Sequence, residues 1–132
     1  MANSGWHGFD LDGTCVCYEP GDTDTKGPEF IGENIDPVID KIKGYLEDGE
    51  RVKIMTARVW PLGTKAADLP FNADRVKFAL KAKKAIDKWS KETFGRILPT
   101  TCIKDAEMID LHDDRAIQVV PNEGKRADGE DL

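Results

Sequence analysis

One short segment near the start of the chain, GWHGFDLDGTC, constrains the fold more than any other. An apolar run, Trp6–Leu11, ends in the carboxylates Asp10 and Asp12, which are one residue apart. Gly13 and Thr14 follow directly. The apolar run predicts a short buried strand, and the glycine predicts a turn after it. Because two acids this close repel each other, the segment indicates a strand end that binds a cation or does chemistry.

The rest of the chain alternates between predicted helices and strands. We expect Asp36 to N-cap a helix with Pro37 in its first turn, and a second helix to run from about Asp74 to Thr93. The apolar face of this second helix is predicted to carry Phe78, Ala82, Ala85, Ile86 and Trp89. The later predicted strands are RVKIMTAR, TTCIKD, MIDLHDD and AIQVV. This alternation predicts a Rossmann-like, three-layer α/β/α fold with a mostly parallel sheet and helices on both faces.

Length and composition predict a single globular domain. The chain has 132 residues, of which 39% are hydrophobic and 33% are charged. We expect the domain to span residues 1–120 and a polar, disordered tail to span residues 121–132. No membrane-spanning run or basic-then-apolar leader pattern is present, and the three cysteines fit reduced thiols, so we expect a cytoplasmic protein. A net charge of −6 argues against bulk attraction to nucleic acid or anionic lipid.

Polar side chains stand at the carboxyl ends of the predicted strands, where sites form in parallel sheets. After the first strand, these ends carry Thr56, Arg58, Lys104, Asp113 and Asp114. Asp10 and one of the later acids could share a hard cation such as Mg²⁺. Thr56 and Lys104 would then face an anion held by the metal, as phosphoryl transfer requires. One carboxylate can attack phosphorus and form an aspartyl phosphate, while Asp12 manages the proton of the leaving oxygen.

Four motifs in this chain resemble those of the haloacid dehalogenase superfamily. They are FDLDGT, the threonine of IMTAR, the lysine of CIKD and the acidic pair of HDDRA, in the family's order. The resemblance covers about Trp6 to Val120. It implies phosphate chemistry and not halide displacement, because dehalogenating members lack the second acid, Asp12.

The resemblance implies a role for each matching residue. Asp10 would be the nucleophile, and Asp12 would be the general acid/base that also offers its backbone carbonyl to Mg²⁺. Thr56 would hydrogen-bond the transferring phosphoryl group, and Lys104 would neutralise charge between nucleophile and phosphate. The pair Asp113–Asp114 would complete the metal site, with the second acid bound directly or through water. The expected activity is Mg²⁺-dependent hydrolysis of phosphate monoesters.

The chain also resembles the capless branch of this superfamily. Neither the gap between Thr14 and Arg51 nor the gap between Arg58 and Lys104 leaves room for a folded cap. An open site suits a bulky phosphorylated substrate, such as a nucleic-acid end or a protein, or a site that a partner subunit of a homo-oligomer covers. The phosphatase domains of polynucleotide kinases have a similar motif spacing.

Several alternatives stay open at this point. A nucleotide or polynucleotide 3′-end phosphatase needs Trp60 or the basic helix near the site, whereas Trp60 can equally anchor its loop and the lysines can form a solvated face. A catalytically weak module that binds a phosphorylated partner is a second alternative. Arg58 is either a substrate contact or an exposed arginine. We expect Cys15 and Cys17 to be small buried residues.

Overall fold

The main sheet of the protein has four parallel strands. A computed structural model describes residues 4–132. The strands are β1 (Trp6–Asp10), β2 (Arg51–Met55), β3 (Thr100–Thr101) and β4 (Met108–His112), and their order is β3-β2-β1-β4. The central strand β1 pairs with both β2 and β4. The chain therefore has a mixed α/β fold with a parallel sheet, as the alternating pattern predicts.

Three α-helices connect these strands: α1 (Asp22–Lys26), α2 (Asp36–Glu47) and α3 (Ala73–Phe94). The predicted N-cap of α2 is wrong by one residue, because Ile35 precedes the helix and Asp36 is its first residue. The acid there still complements the positive end of the helix dipole. The predicted second helix corresponds to α3, which ends where Gly95 takes a left-handed φ of 76°.

The helices α2 and α3 pack on one face of the sheet. Both crossovers step in the same direction, from β1 to β2 and from β2 to β3, so right-handed connections place both helices on the same side. The core residues that these elements share are Phe9, Ile39, Ile42, Val52, Ile54 and Ile86. The expectation of helices on both faces, and hence of three layers, is therefore not met within the described residues.

A short connection, residues 102–107, crosses the opposite face between β3 and β4. Its Asp105 accepts a hydrogen bond of 2.8 Å from Trp6 Nε1, and Lys53 Nζ lies 4.9 Å from the centre of the Trp6 ring. Trp6 is fully buried as a result. The predicted strand TTCIKD keeps only Thr100–Thr101, because the chain leaves the sheet there to reach β4 on the far side of β1.

The end of the chain forms a separate antiparallel hairpin. It pairs β5 (Val119–Val120) with β6 (Lys125–Arg126), and its turn includes Asn122 at a φ of 65° and Gly124 at a φ of 66°. The expectation that AIQVV adds a fifth strand to the parallel sheet is wrong, because this segment pairs locally across the turn that follows it. The predicted tail, residues 121–132, supplies one strand of this hairpin.

The loop between β2 and α3 is ordered into three short 3-10 helices, which are Ala57–Val59, Lys65–Asp68 and Pro70–Asn72. Val59 and Pro61 are buried and anchor the first part of this loop to the core. None of the helices in residues 4–132 combines the length and apolar character that crossing a membrane requires.

Candidate functional site

A cleft of about 1130 Å³ opens at the carboxyl ends of β1, β2 and β4. This is the edge where ligands bind in parallel α/β sheets. Of the residues that the sequence predicts for a site, the cleft is lined by Asp10, Asp12, Thr56, Arg58, Asp113 and Asp114. The strand-end pattern therefore brings these six side chains to one place.

Three carboxylates at this edge form what we call the acidic centre: Asp10, Asp113 and Asp114. Oxygen atoms of the three lie within 4.8 Å of one another. Burial raises the pKa of Asp10 to about 8, with further contributions from a side-chain hydrogen bond with Asp114 and from the charges of its acidic neighbours. None of the ion pairs among residues 4–132 includes a member of the centre.

The turn after β1 contacts the acidic centre directly through Gly13 and Thr14. Thr14 Oγ1 donates to Asp114 Oδ1 at 3.2 Å and accepts from the Asp114 backbone N–H at 3.0 Å. Gly13 has a φ of 85°, and a Cβ atom at this position would overlap the Asp114 carboxylate. Glycine is required here for both reasons. The pair Gly13–Thr14 therefore sets the distance between the ends of β1 and β4.

The acidic centre fits a hard divalent cation such as Mg²⁺. Carboxylate oxygens are the ligands that this ion prefers, and its charge would favour the ionised form of Asp10, which burial and the acidic neighbours disfavour. Asp10, Asp113 and Asp114 are the residues that would hold it. The fourth expected ligand, Asp12, has its carboxylate engaged elsewhere, which leaves its backbone carbonyl for a cation.

Asp12 forms a two-pronged ion pair with Arg58. Nε and Nη2 of Arg58 donate to the two carboxylate oxygens at 2.7 and 2.6 Å. Nη1 donates to the backbone carbonyls of Pro28 and Phe30, and Arg58 is only 5% exposed. Every nitrogen of this guanidinium is therefore used inside the protein. The prediction that Arg58 binds the phosphate or the substrate is not supported by this geometry, and Arg58 orients Asp12 instead.

Thr56 is buried at the end of β2 and serves two purposes. Its Oγ1 accepts from the Arg58 backbone N–H at 3.2 Å and so caps the 3-10 helix that follows. A hydroxyl that accepts one hydrogen bond still has its own O–H to donate. Thr56 also lines the cleft, so this donor is available to a ligand.

Lys104 is the one predicted site residue that the structure does not bring into the cleft. It is exposed on the connection of residues 102–107, three positions beyond the end of β3. The prediction placed it at a strand end, but β3 stops at Thr101 because the chain turns to cross the sheet. Residue order alone gave no indication of that turn.

The other residues that line the cleft include Tyr18, Arg75, Phe78 and Arg115. Sequence reasoning gave no site role to Tyr18 or Phe78, and it left open a role for Arg115 and for the basic helix that carries Arg75. Arg115 directly follows the acidic pair, a position that could have suggested it. Phe78 was expected on the core face of its helix, but it is only half-buried and lies outside the core cluster. Of the basic residues on α3, Arg75 alone is in this lining.

The cysteines near the site differ from one another. Cys15 is fully buried, and burial followed by the charges of Asp10 and Asp12 raises the pKa of its thiol to about 12. Cys17 is exposed, so the expectation that both are buried is wrong for this one. A thiol that stays protonated is a poor nucleophile and a poor metal ligand, so Cys15 packs as a small apolar residue.

Comparisons with protein-family models, with curated proteins and with solved structures found no match for this chain. A family assignment therefore stays a proposal, which rests on the residues of the cleft.

Proposed function

We propose that this chain is a Mg²⁺-dependent phosphomonoester hydrolase of the haloacid dehalogenase type, in which Asp10 is the nucleophile. The observation that carries the proposal is the acidic centre, where Asp10 meets Asp113 and Asp114 in an open cleft without a basic partner among the described residues. Burial, a hydrogen bond with Asp114 and the charges of neighbouring acids raise the pKa of Asp10 there, and a carboxyl group with a perturbed pKa in a cleft is typical of a functional site. The four motifs in family order support the same assignment.

The chemistry uses the two acids of the first motif for different steps. An Asp10 oxygen attacks phosphorus, the ester P–O bond breaks, and an aspartyl phosphate forms. Asp12 gives a proton to the leaving oxygen and later accepts one from the water that hydrolyses the aspartyl phosphate. Arg58 holds Asp12 in one orientation for both transfers. A bound Mg²⁺ would neutralise charge on the phosphoryl oxygens and among the carboxylates.

Two further side chains complete the proposed site. The Thr56 hydroxyl, whose oxygen already accepts from the Arg58 backbone, donates its O–H to a phosphoryl oxygen. Arg115 lines the cleft and follows the acidic pair, so it supplies the cation that the resemblance assigns to Lys104. Phosphoryl transfer depends on such positioned donors and charges more than on any other factor.

The test is phosphate release from a panel of small and polymeric phosphate monoesters, with Mg²⁺ or with EDTA. We expect turnover only with the metal, and a loss of at least about 10³-fold in Asp10→Asn, because the nucleophile is gone. Asp40→Asn is the matched control, since Asp40 is an exposed acid on α2, outside the cleft. Equal turnover by wild type and Asp10→Asn would refute the mechanism.

The ion pair between Asp12 and Arg58 also favours a second candidate, a module that binds a phosphorylated ligand without hydrolysing it. A carboxylate that an arginine holds at both oxygens is well placed for structure and less free for proton transfer. Mg²⁺-dependent binding of phosphate esters with no phosphate release, from a protein shown to be folded, would favour this candidate over the hydrolase.

A further inference from the structure

The loop after β2 forms one wall of the cleft. This loop carries an exposed tryptophan, Trp60. Trp60 is 41% exposed and lines the cleft. Its neighbours Val59 and Pro61 are buried and already attach this part of the loop to the core. Val59 and Pro61 therefore anchor this part of the loop, and part of the Trp60 side chain stays exposed at the cleft.

Arg75 joins this tryptophan to a second aromatic ring. The guanidinium carbon lies 4.2 Å from the centre of the Phe78 ring, so the two side chains stack. Nε donates to the Trp60 carbonyl at 3.1 Å, and Nη2 donates to the Ala57 carbonyl at 2.8 Å. Arg75 thus holds Trp60 and Phe78 on one wall, next to the end of β2 where Thr56 lies.

A third ring, Tyr18, lines the same cleft from the segment that precedes α1. Its hydroxyl contacts Thr23 Oγ1 at 3.2 Å, and its ring centre lies 5.8 Å from the guanidinium carbon of Arg58. Tyr18 is thereby tied to the residue that holds Asp12. The acidic centre of the cleft fits a metal-bound phosphate, and the aromatic rings provide apolar surface in the same cleft.

We propose that Trp60, with Phe78 and Tyr18, binds the planar aromatic part of a small phosphate monoester, and that the substrate class is a nucleoside monophosphate. This proposal rests on the proposed function for the binding of the substrate's phosphate group. It adds that the rest of the cleft recognises the base of the nucleotide. Aromatic side chains accept any base, because every base has a flat face to stack on.

Two observations favour a single nucleotide over a nucleic-acid strand. The chain carries a net charge of −6, which repels a long phosphate backbone. The lysines of α3 also do not line the cleft, so they are not placed to contact a ligand bound inside it.

The first test compares adenosine 5′-monophosphate with ribose 5-phosphate, which has the same phosphate and sugar but no base. With Mg²⁺ present, we expect kcat/KM to be at least about tenfold higher for the nucleotide, and Trp60→Ala to remove most of that ratio. Leu69→Ala is the matched control, because Leu69 is an exposed apolar residue of the same loop that does not line the cleft. A ratio near one, or an equal loss for both esters in Trp60→Ala, would overturn the proposal.

The second test measures binding and does not depend on turnover. Trp6 and Trp89 are 0% and 8% exposed, so quenching of tryptophan fluorescence by a ligand in the cleft reports on Trp60. In Asp10→Asn with Mg²⁺, we expect adenosine 5′-monophosphate to quench this fluorescence, ribose 5-phosphate to leave it unchanged, and Trp60→Phe to abolish the signal.

The two tests separate the two proposals. Hydrolysis of both small esters at equal rates, without quenching, would overturn the aromatic subsite and leave the hydrolase standing. Quenching without hydrolysis in the wild-type protein would support the subsite and refute the hydrolase. Faster turnover of a phosphorylated oligonucleotide than of the single nucleotide would overturn the substrate class proposed here.

Discussion

Two groups of ionisable side chains lie along β1 and β4 or next to them, and they differ in whether the acids have a basic side chain beside them. Near the middle of the strands, His7 Nδ1 lies 2.9 Å from Asp110 Oδ1, and His7 Nε2 lies 3.5 Å from Glu50 Oε2. Its ring also stacks on Tyr45 of α2 at a centroid distance of 3.9 Å. At the carboxyl ends of these strands, the acidic centre around Asp10 has no such partner among the described residues.

Under the proposed function, the difference separates side chains that stabilise the fold from carboxylates that bind a ligand. Burying a polar group is costly unless it is paired, so the His7 cluster is what a stable sheet requires. Asp10 departs from that rule at the edge of an open cleft, because it is partly buried among other acids, and such departures concentrate at functional sites. Asp12 lies between the two cases, because it belongs to the cleft but is paired with Arg58.

The largest effect on stability is expected from removing Arg58, the side chain that pairs with the Asp12 carboxylate. Arg58→Ala leaves the Asp12 charge without a partner and frees the carbonyls of Pro28 and Phe30. We expect the free energy of unfolding to fall by about 3–5 kcal/mol, as for other broken buried ion pairs, and phosphate release to be lost as well. Urea denaturation and the phosphatase assay measure the two losses.

Arg58→Lys is the matched variant for this prediction. It keeps the positive charge but not the planar fork that contacts both oxygens, so we expect part of the stability and little of the activity to return. If Arg58→Ala kept wild-type stability and turnover, Asp12 would not depend on this pair.

A smaller effect, on stability alone, is expected from the paired cluster. His7→Ala removes the partner of Asp110 and Glu50 and the stacking on Tyr45, so the free energy of unfolding should fall by about 1–3 kcal/mol. At a temperature where the variant is folded, kcat should equal that of the wild type, because His7 does not line the cleft. Thermal unfolding and kinetics test this prediction, and a large loss of kcat in folded protein would erase the distinction between the two groups.

The last effect is confined to the metal-free protein and concerns the pH dependence of its stability. Burial and its acidic neighbours raise the pKa of Asp10 to about 8 in the folded state, from an ordinary value of 3.8. Between these values the folded state holds a proton that the unfolded state has released, so the Asp10 contribution to stability falls as pH rises. In EDTA, Asp10→Asn should therefore gain Tm relative to the wild type between about pH 5 and about pH 8.5.

Mg²⁺ provides the control for this pH effect. The ion favours the charged form of Asp10, so adding it should reduce the pH-dependent gap between the two proteins and stabilise the wild type more than the variant. A gap that stays constant with pH in EDTA would show that Asp10 is not held protonated by its neighbours.

Much of the architecture could be predicted from local pattern. The apolar run before Asp10 predicts β1, and the rule that sites form at strand ends predicts that Asp10, Asp113 and Asp114 lie close together, which they do. Gly13 likewise has the positive φ and the crowded position that its place in the motif suggests. These features depend on a few neighbouring residues or on strand order.

The remainder depends on distant parts of the chain. The Arg58–Asp12 pair joins residues 46 positions apart, and only the fold reveals where the guanidinium points. The early end of β3 at Thr101 follows from the need to cross the sheet, which displaced Lys104 from its predicted place. Helical periodicity placed Phe78 on the core face, because periodicity does not separate a core from an adjoining cleft.

The two hydrogen bonds between Thr14 and Asp114 have a consequence for the chain during its synthesis on the ribosome. These residues are 100 positions apart, so the ribosome adds the second roughly 5–20 s after the first. Until β4 arrives, β1 has an open edge in the middle of the future sheet, and the acidic centre is only half built. A nascent chain at this stage cannot gain stability from a metal ion at the acidic centre, and its bare strand edge is the surface that a chaperone would shield.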